Sequence, residues 1–283
     1  MSVPTAAAPE LSAAPTAAGG PGTRSLDHRP GPGGAPAWRT VATHAAMETR
    51  LLVRNSEQLL VALVIPLLAL VLLDRTSLLD ASLRPGQPRV DLALPGVLAL
   101  AVLSTAFTST AITTGFDRRY GVLRRLGATP LSRAGLLGGK VLSVATVVAG
   151  QLVVLTAAGA LLGWRPGDAG APGVGAALLL LVLGVAALVP VALLVGGTLR
   201  AEATLAVANI VYVLLLGLSA VLVPAARYPG PVAAVAPLLP PGALAEGLRS
   251  ALTGGGLSVG AAAVLVVWAA LASAACARFF RWD

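Results

Sequence analysis

The stretch Val174-Gly-Ala-Ala-Leu-Leu-Leu-Leu-Val-Leu-Gly-Val-Ala-Ala-Leu-Val-Pro-Val-Ala-Leu-Leu-Val-Gly-Gly-Thr-Leu199 carries no charged side chain, and its reading decides the fold. A helix rises about 1.5 Å per residue, so crossing a hydrocarbon core about 30 Å thick takes roughly 17 to 25 apolar residues in succession. This run meets that length. Further apolar stretches lie near Gln58–Leu73, Leu92–Gly115, Leu136–Leu162, Ala203–Ala226 and Leu257–Ala277, giving about six expected spans. Whole-chain composition agrees: 56% of residues are hydrophobic and 11% charged, against about 25% charged in soluble domains. Aromatic residues make up only 4% while 32 residues are glycine, which suits helices packed through small side chains better than a barrel with aromatic girdles. The expected fold is all-α, a polytopic membrane protein.

The segments around these runs differ in kind. Residues 1–36 are rich in Ala, Pro, Gly, Ser and Thr with no apolar periodicity, the composition of a disordered tail. A signal peptide is not expected, because no basic start is followed by an apolar stretch. From Ala37 to Glu57 a helical period appears, with Trp38, Val41, Ala42, Ala45, Thr49, Leu52 and Val53 on one face and Arg39, Thr43, Arg50, Arg54 and Glu57 on the other. That pattern predicts an interfacial helix along the headgroups. Tyr228 to Ala245 is uncharged but broken by Pro229, Pro231, Pro237, Pro240 and Pro241, so one or two short re-entrant or surface helices are expected there, with Glu246 and Arg249 placed to pair at i, i+3.

Net charge is +8. In a soluble protein this would point to nucleic acid; here arginines retained on the cytoplasmic side account for it, and no nucleic-acid partner is expected. Most of the 20 Lys and Arg residues fall before the first run, between the second and third, and after the last. Both termini and the second connection are therefore expected to be cytoplasmic, on an even number of spans.

That connection, Phe116 to Arg133, is a compact basic island. On a continuous helix Phe116, Tyr120, Leu123 and Leu126 form an apolar stripe, with Arg118 and Arg125 on another face flanked by Arg119 and Arg124. Gly127 is suited to end that helix, Thr129 to cap the next and Pro130 to occupy its first position. A topogenic loop would need the arginines but not the stripe or the stop and start signals. A short transverse helix that docks a soluble partner is expected.

Catalytic chemistry has little to stand on. The chain's single lysine, Lys140, lies in Gly135-Leu-Leu-Gly-Gly-Lys-Val141, with Ala134 where a phosphate-binding loop needs its first glycine and Val141 where it needs a magnesium-binding hydroxyl. No ATP site, cofactor or metal centre is expected, since His28 and His44 have no partner at metal-ligand spacing. The lone Cys276 forms no intrachain disulfide and is read as packing. Within the runs the polar groups include Gln151, Asn209 and the Ser/Thr series from Ser104 to Thr114. Most should make interhelical hydrogen bonds; Gln151 and Asn209 are the candidates for lining a substrate path. No charge is expected in the core of a span, which weighs against an ion-coupled carrier. Such a carrier, or a membrane-embedded cofactor-assembly factor, is the alternative reading.

Asp117-Arg-Arg-Tyr-Gly-Val-Leu-Arg-Arg-Leu-Gly-Ala-Thr-Pro-Leu-Ser132 is similar to the acidic, glycine, leucine, basic and Thr-Pro pattern of the ABC-2 permeases of ATP-binding-cassette transporters. Pro237-Leu-Leu-Pro-Pro-Gly-Ala-Leu-Ala-Glu-Gly-Leu-Arg249 resembles that family's second, weaker signature. The resemblance covers Ala37 to the C-terminus, and implies an ABC-2 type transmembrane domain over 37–283 in a bacterial plasma membrane. It further implies two permease chains, identical or related, a separate ATPase subunit for each, and export of a drug, lipid or polyketide. A coupling helix seated on the ATPase would fall on Arg118, Arg119, Tyr120, Val122, Leu123, Arg124, Arg125, Leu126, Thr129 and Pro130.

Overall fold

The computed structural model describes residues 36–54, 56–122, 125, 133–165 and 169–280. Apart from Pro36, the expected tail lies outside them, as do Leu123, Arg124 and residues 126–132. The described residues form helices and no strand. In order these are α1 (Ala37–Arg54), α2 (Ser56–Arg75), α3 (Arg89–Arg119), α4 (Arg133–Leu161), α5 (Gly170–Thr198), α6 (Ala201–Leu218), α7 (Gly230–Val235), α8 (Pro240–Leu252) and α9 (Val259–Phe279). Among them α3, α4, α5, α6 and α9 are each long and apolar enough to cross a membrane. A sixth is reached if α7 and α8, bent by 87° at a short break, count as one broken span. α2, where the first span is expected, is a 20-residue helix containing Pro66.

Burial orders the bundle. Through its most apolar window α3 is 89% buried, α5 56%, and α6 only 17%. The central pair is lined by small residues on α5 (Ala176, Ala177, Gly184, Ala187, Ala192, Gly196), which lets backbones approach where lipid gives no hydrophobic drive. Leu94, Leu100, Leu103, Phe107, Leu180 and Leu188 fill the middle. α3 carries a π-turn at Leu103–Ser109 within its Ser/Thr run. There the Thr110 hydroxyl donates to Thr105 O at 2.9 Å, and the widened turn releases Thr105 to reach across to α4.

Two sequence expectations change and a third is narrowed. The fifth span is expected to run to Ala226, but α6 ends at Leu218 because Ala220 takes a left-handed φ of 51°. The carbonyls freed there are claimed by Arg249 of α8, whose Nη1 donates to Ala220 O at 3.2 Å and Nη2 to Val221 O at 2.5 Å. Hydropathy cannot register this unwinding, since the segment is apolar throughout. The broken region before α9 is as expected, including the Arg249–Glu246 pair at 3.0 Å; of the two expected forms, re-entrant or surface, α8 takes the buried one, packed on α3 and α5. The buried face of α1 also differs: Val41, His44, Ala45, Glu48 and Leu52 turn towards α4, whereas Trp38 and Val53 are exposed.

Candidate functional site: the basic end of the bundle

The site begins where α3 leaves the bundle. The helix runs unbroken through Arg118 and Arg119 and stops at Tyr120, because Gly121 has φ +70°, a backbone that only glycine adopts without strain. The expected single helix from Phe116 to Leu126 is therefore interrupted: Arg118 and Arg119 belong to the end of the span, not to a transverse helix. Both bind neighbouring helices. Arg118 Nη1 donates to Gly197 O at 2.9 Å and Leu199 O at 3.3 Å, satisfying carbonyls at the C-terminus of α5 where a cation also suits the helix dipole. Arg119 pairs with Glu202 in the first turn of α6. One turn of α3 thus holds the ends of two other spans.

Around the break, described side chains face outward. Tyr120 is 68% exposed although its ring stacks on Phe116 at 6.2 Å, and Val122 and Arg125 are exposed as well. Leu123, Arg124, Leu126, Thr129 and Pro130, which the island reading also includes, lie outside the described residues. The ten expected coupling positions thus divide, among those described, into two that brace spans and three that face outward.

Directly behind this surface is a feature that sequence reasoning missed. Lys140 is 5% exposed and sits inside α4, although it counts among the basic connections by position. Its ammonium donates to Glu48 Oε2 of α1 at 2.8 Å and to Asp117 Oδ2 of α3 at 3.4 Å. Three helices therefore meet at one buried cation, flanking the basic connection on both sides. The available signals were that Lys140 is the only lysine and that Asp117 precedes two arginines; nothing local marks Glu48, 92 positions away.

His44 packs against the same joint. A side chain at Gly139 of α4 would strike the His44 ring, so glycine is required for this close approach. The imidazole is 8% exposed, and its Nε2 has no partner among the described residues. Burial holds its pKa below the ordinary 6.5; Glu48 pulls it upward, Lys140 adds to the lowering and Asp117 opposes it. The folded state therefore favours neutral imidazole, and the unfolded chain binds more protons as pH falls past 6.5. The resulting stabilisation is present above that value and is lost as pH drops through the lower folded pKa. We expect amide exchange across Val41–Leu52 to be slower at pH 7.5 than at pH 5, after correction for intrinsic rates, and the difference to shrink in His44→Leu. Equal protection at both pH values would contradict this.

The two candidate path residues are not brought together. Gln151 is buried, accepting from Thr105 Oγ1 at 2.9 Å and donating to Ala62 O at 3.2 Å, so its amide ties α4 to α3 and α2. Asn209 is exposed on α6 and donates to Leu205 O at 2.9 Å within its own helix. Ser104 reaches Tyr212 at 3.4 Å. Like Thr105, it makes the expected interhelical bond, whereas Thr113 bonds back to Ser109 O.

A family model described as ABC-2 family transporter protein matches residues 86–277, a stretch containing α3 to α8, the basic connection and nearly all of α9. The chain belongs to the ABC-2 transporter family. It is therefore a multi-pass membrane protein and a transmembrane permease subunit, and membership implies a partner ATPase. Comparison with curated proteins gives no match. In this ABC-2 chain α1, which supplies Glu48 and His44, precedes the matched stretch.

Proposed function

We propose that this chain is the permease of an ATP-driven exporter, working as a pair with a second permease chain and energised by a separate ATPase that seats on the connection after α3. The single observation carrying this reading is the continuity of α3: the helix runs without interruption from its buried core to Arg118 and Arg119, which hold the ends of α5 and α6. A push on Tyr120 is then delivered to three spans at once. Tyr120, Val122 and Arg125, with Leu123, Arg124, Leu126, Thr129 and Pro130 of the same connection, form the docking surface; Arg118 and Arg119 act as braces behind it. The connection and both termini face the cytoplasm, where ATP is available. The cargo is a drug-, lipid- or polyketide-like compound, in keeping with a bundle whose interior is apolar and lined by small residues.

Energy supply is the testable part. The purified chain titrated with magnesium-ATP in a calorimeter should give no saturable binding, because Ala134 and Val141 interrupt the lysine-containing glycine stretch. The same chain co-purified with its ATPase should stimulate hydrolysis. Saturable nucleotide binding by the isolated permease would overturn the division of labour.

A further inference from the structure

The end of the bundle opposite Arg118 and Arg119 holds a pocket with charged side chains in its lining that coupling does not use. It has a volume of about 520 Å³ and lies between the turn at residues 81–87, the first turn of α3, the chain after α6 and the last turns of α8. Ligand sites commonly fall in this size range, about 300 to 1,000 Å³. Its charged lining is Arg84, Arg227 and Arg249 against Glu246 alone. That carboxylate is already engaged, accepting from Arg249 Nη1 at 3.0 Å and from the Ala225 amide at 2.8 Å. The nearby Asp80 is also spent, holding Arg89 through both oxygens at 2.5 and 2.9 Å. This pairing keeps the Asp80 carboxyl below its ordinary range, chiefly through the hydrogen bond from Arg89. Positive charge is left over at the pocket.

Buried donors are left over as well. Arg249 is 5% exposed, and while its terminal nitrogens bind Ala220, Val221 and Glu246, its Nε has no acceptor among the described residues. The buried hydroxyl of Ser82 on the same lining is also without a partner. A buried donor in that condition costs free energy until an acceptor arrives. Arginines and a hydroxyl converging from different elements match an anion that accepts from several directions, and the tetrahedral oxygens of phosphate do so with charge-assisted bonds. Leu92 on the wall belongs to the first turn of the most buried span, so the pocket sits at the level where a hydrocarbon core gives way to headgroups.

We propose that this pocket binds a phosphate group. The same chemistry is offered by a phospholipid headgroup and by a soluble phosphate ester, and the test separates the two sources. The full chain, in detergent, is titrated with inorganic phosphate, with phosphatidylglycerol and with uncharged diacylglycerol, and binding is read by native mass spectrometry. Wild type should bind at least one phosphate-bearing probe saturably, and R84Q/R227Q should weaken that binding by about 10-fold or more, the scale of lost charged hydrogen bonds. Competition between inorganic phosphate and the lipid supports a site open to soluble phosphates. Binding of phosphatidylglycerol alone supports a headgroup site. Arg249 is left intact because it also holds the end of α6; if the double variant does not insert, R227Q at an exposed position is read in the same way. The proposal is overturned if neither phosphate probe binds, if diacylglycerol binds equally well, or if binding is indifferent to the arginine substitutions in correctly inserted protein.

Discussion

Lys140→Met should cost the folded chain about 3 to 5 kcal/mol, the usual penalty for removing one partner of a buried ion pair and leaving its charge uncompensated. Here two carboxylates are abandoned. Glu48 and Asp117 lose the ammonium that both approach, at 2.8 and 3.4 Å, and their mutual repulsion then pushes α1 and α3 apart. The loss should appear as a lowered unfolding midpoint in detergent, with α1 detaching first because this joint lies in its contact with α4. The triple variant Lys140→Met, Glu48→Gln, Asp117→Asn should recover most of the loss, since a neutral cluster has no charge left to desolvate. If the single variant is as stable as wild type, the three charges do not form the joint described.

The second large effect concerns the docking surface. Tyr120→Ala with Leu123→Ala should weaken association with the ATPase by roughly 2 to 4 kcal/mol, or about 30- to 1,000-fold, because aromatic and apolar anchors carry most of an interface's energy. Arg124→Gln with Arg125→Gln should do less, and less still at high salt, where exposed charges steer approach but are screened. Affinity is measured on complexes of correctly inserted permease. A double anchor variant that still binds and stimulates the ATPase as wild type does would reduce the connection to a topogenic loop.

The spans were legible because hydrocarbon imposes a length requirement that apolar runs such as Val174–Leu199 display directly. The broken pair before α9 was legible for the opposite reason: five prolines between Tyr228 and Ala245 exclude a regular helix. What escaped was set by distant partners. The end of α6 at Leu218 depends on Arg249 reaching back across 28 and 29 positions, and the Lys140 joint spans 92 positions to Glu48 and 23 to Asp117. The stripe from Phe116 through Leu126 was a true helical periodicity in the sequence, but it could not show that Gly121 would take a positive φ. The stripe predicts Arg118 and Arg119 on a transverse helix, whereas both lie in the last turn of α3. Their nearest partners are the ends of α5 and α6, which makes them part of how a docking event would be transmitted.

The most direct measurement is site-specific photo-cross-linking from position 120 in living cells, with the adduct identified by mass spectrometry. A photoreactive residue replacing the exposed Tyr120 should capture a P-loop ATPase. The adduct should disappear when Leu123 and its neighbours Arg124 and Arg125 are replaced together. Recovery of lipid adducts alone, or of proteins that lack a P-loop, would contradict the account.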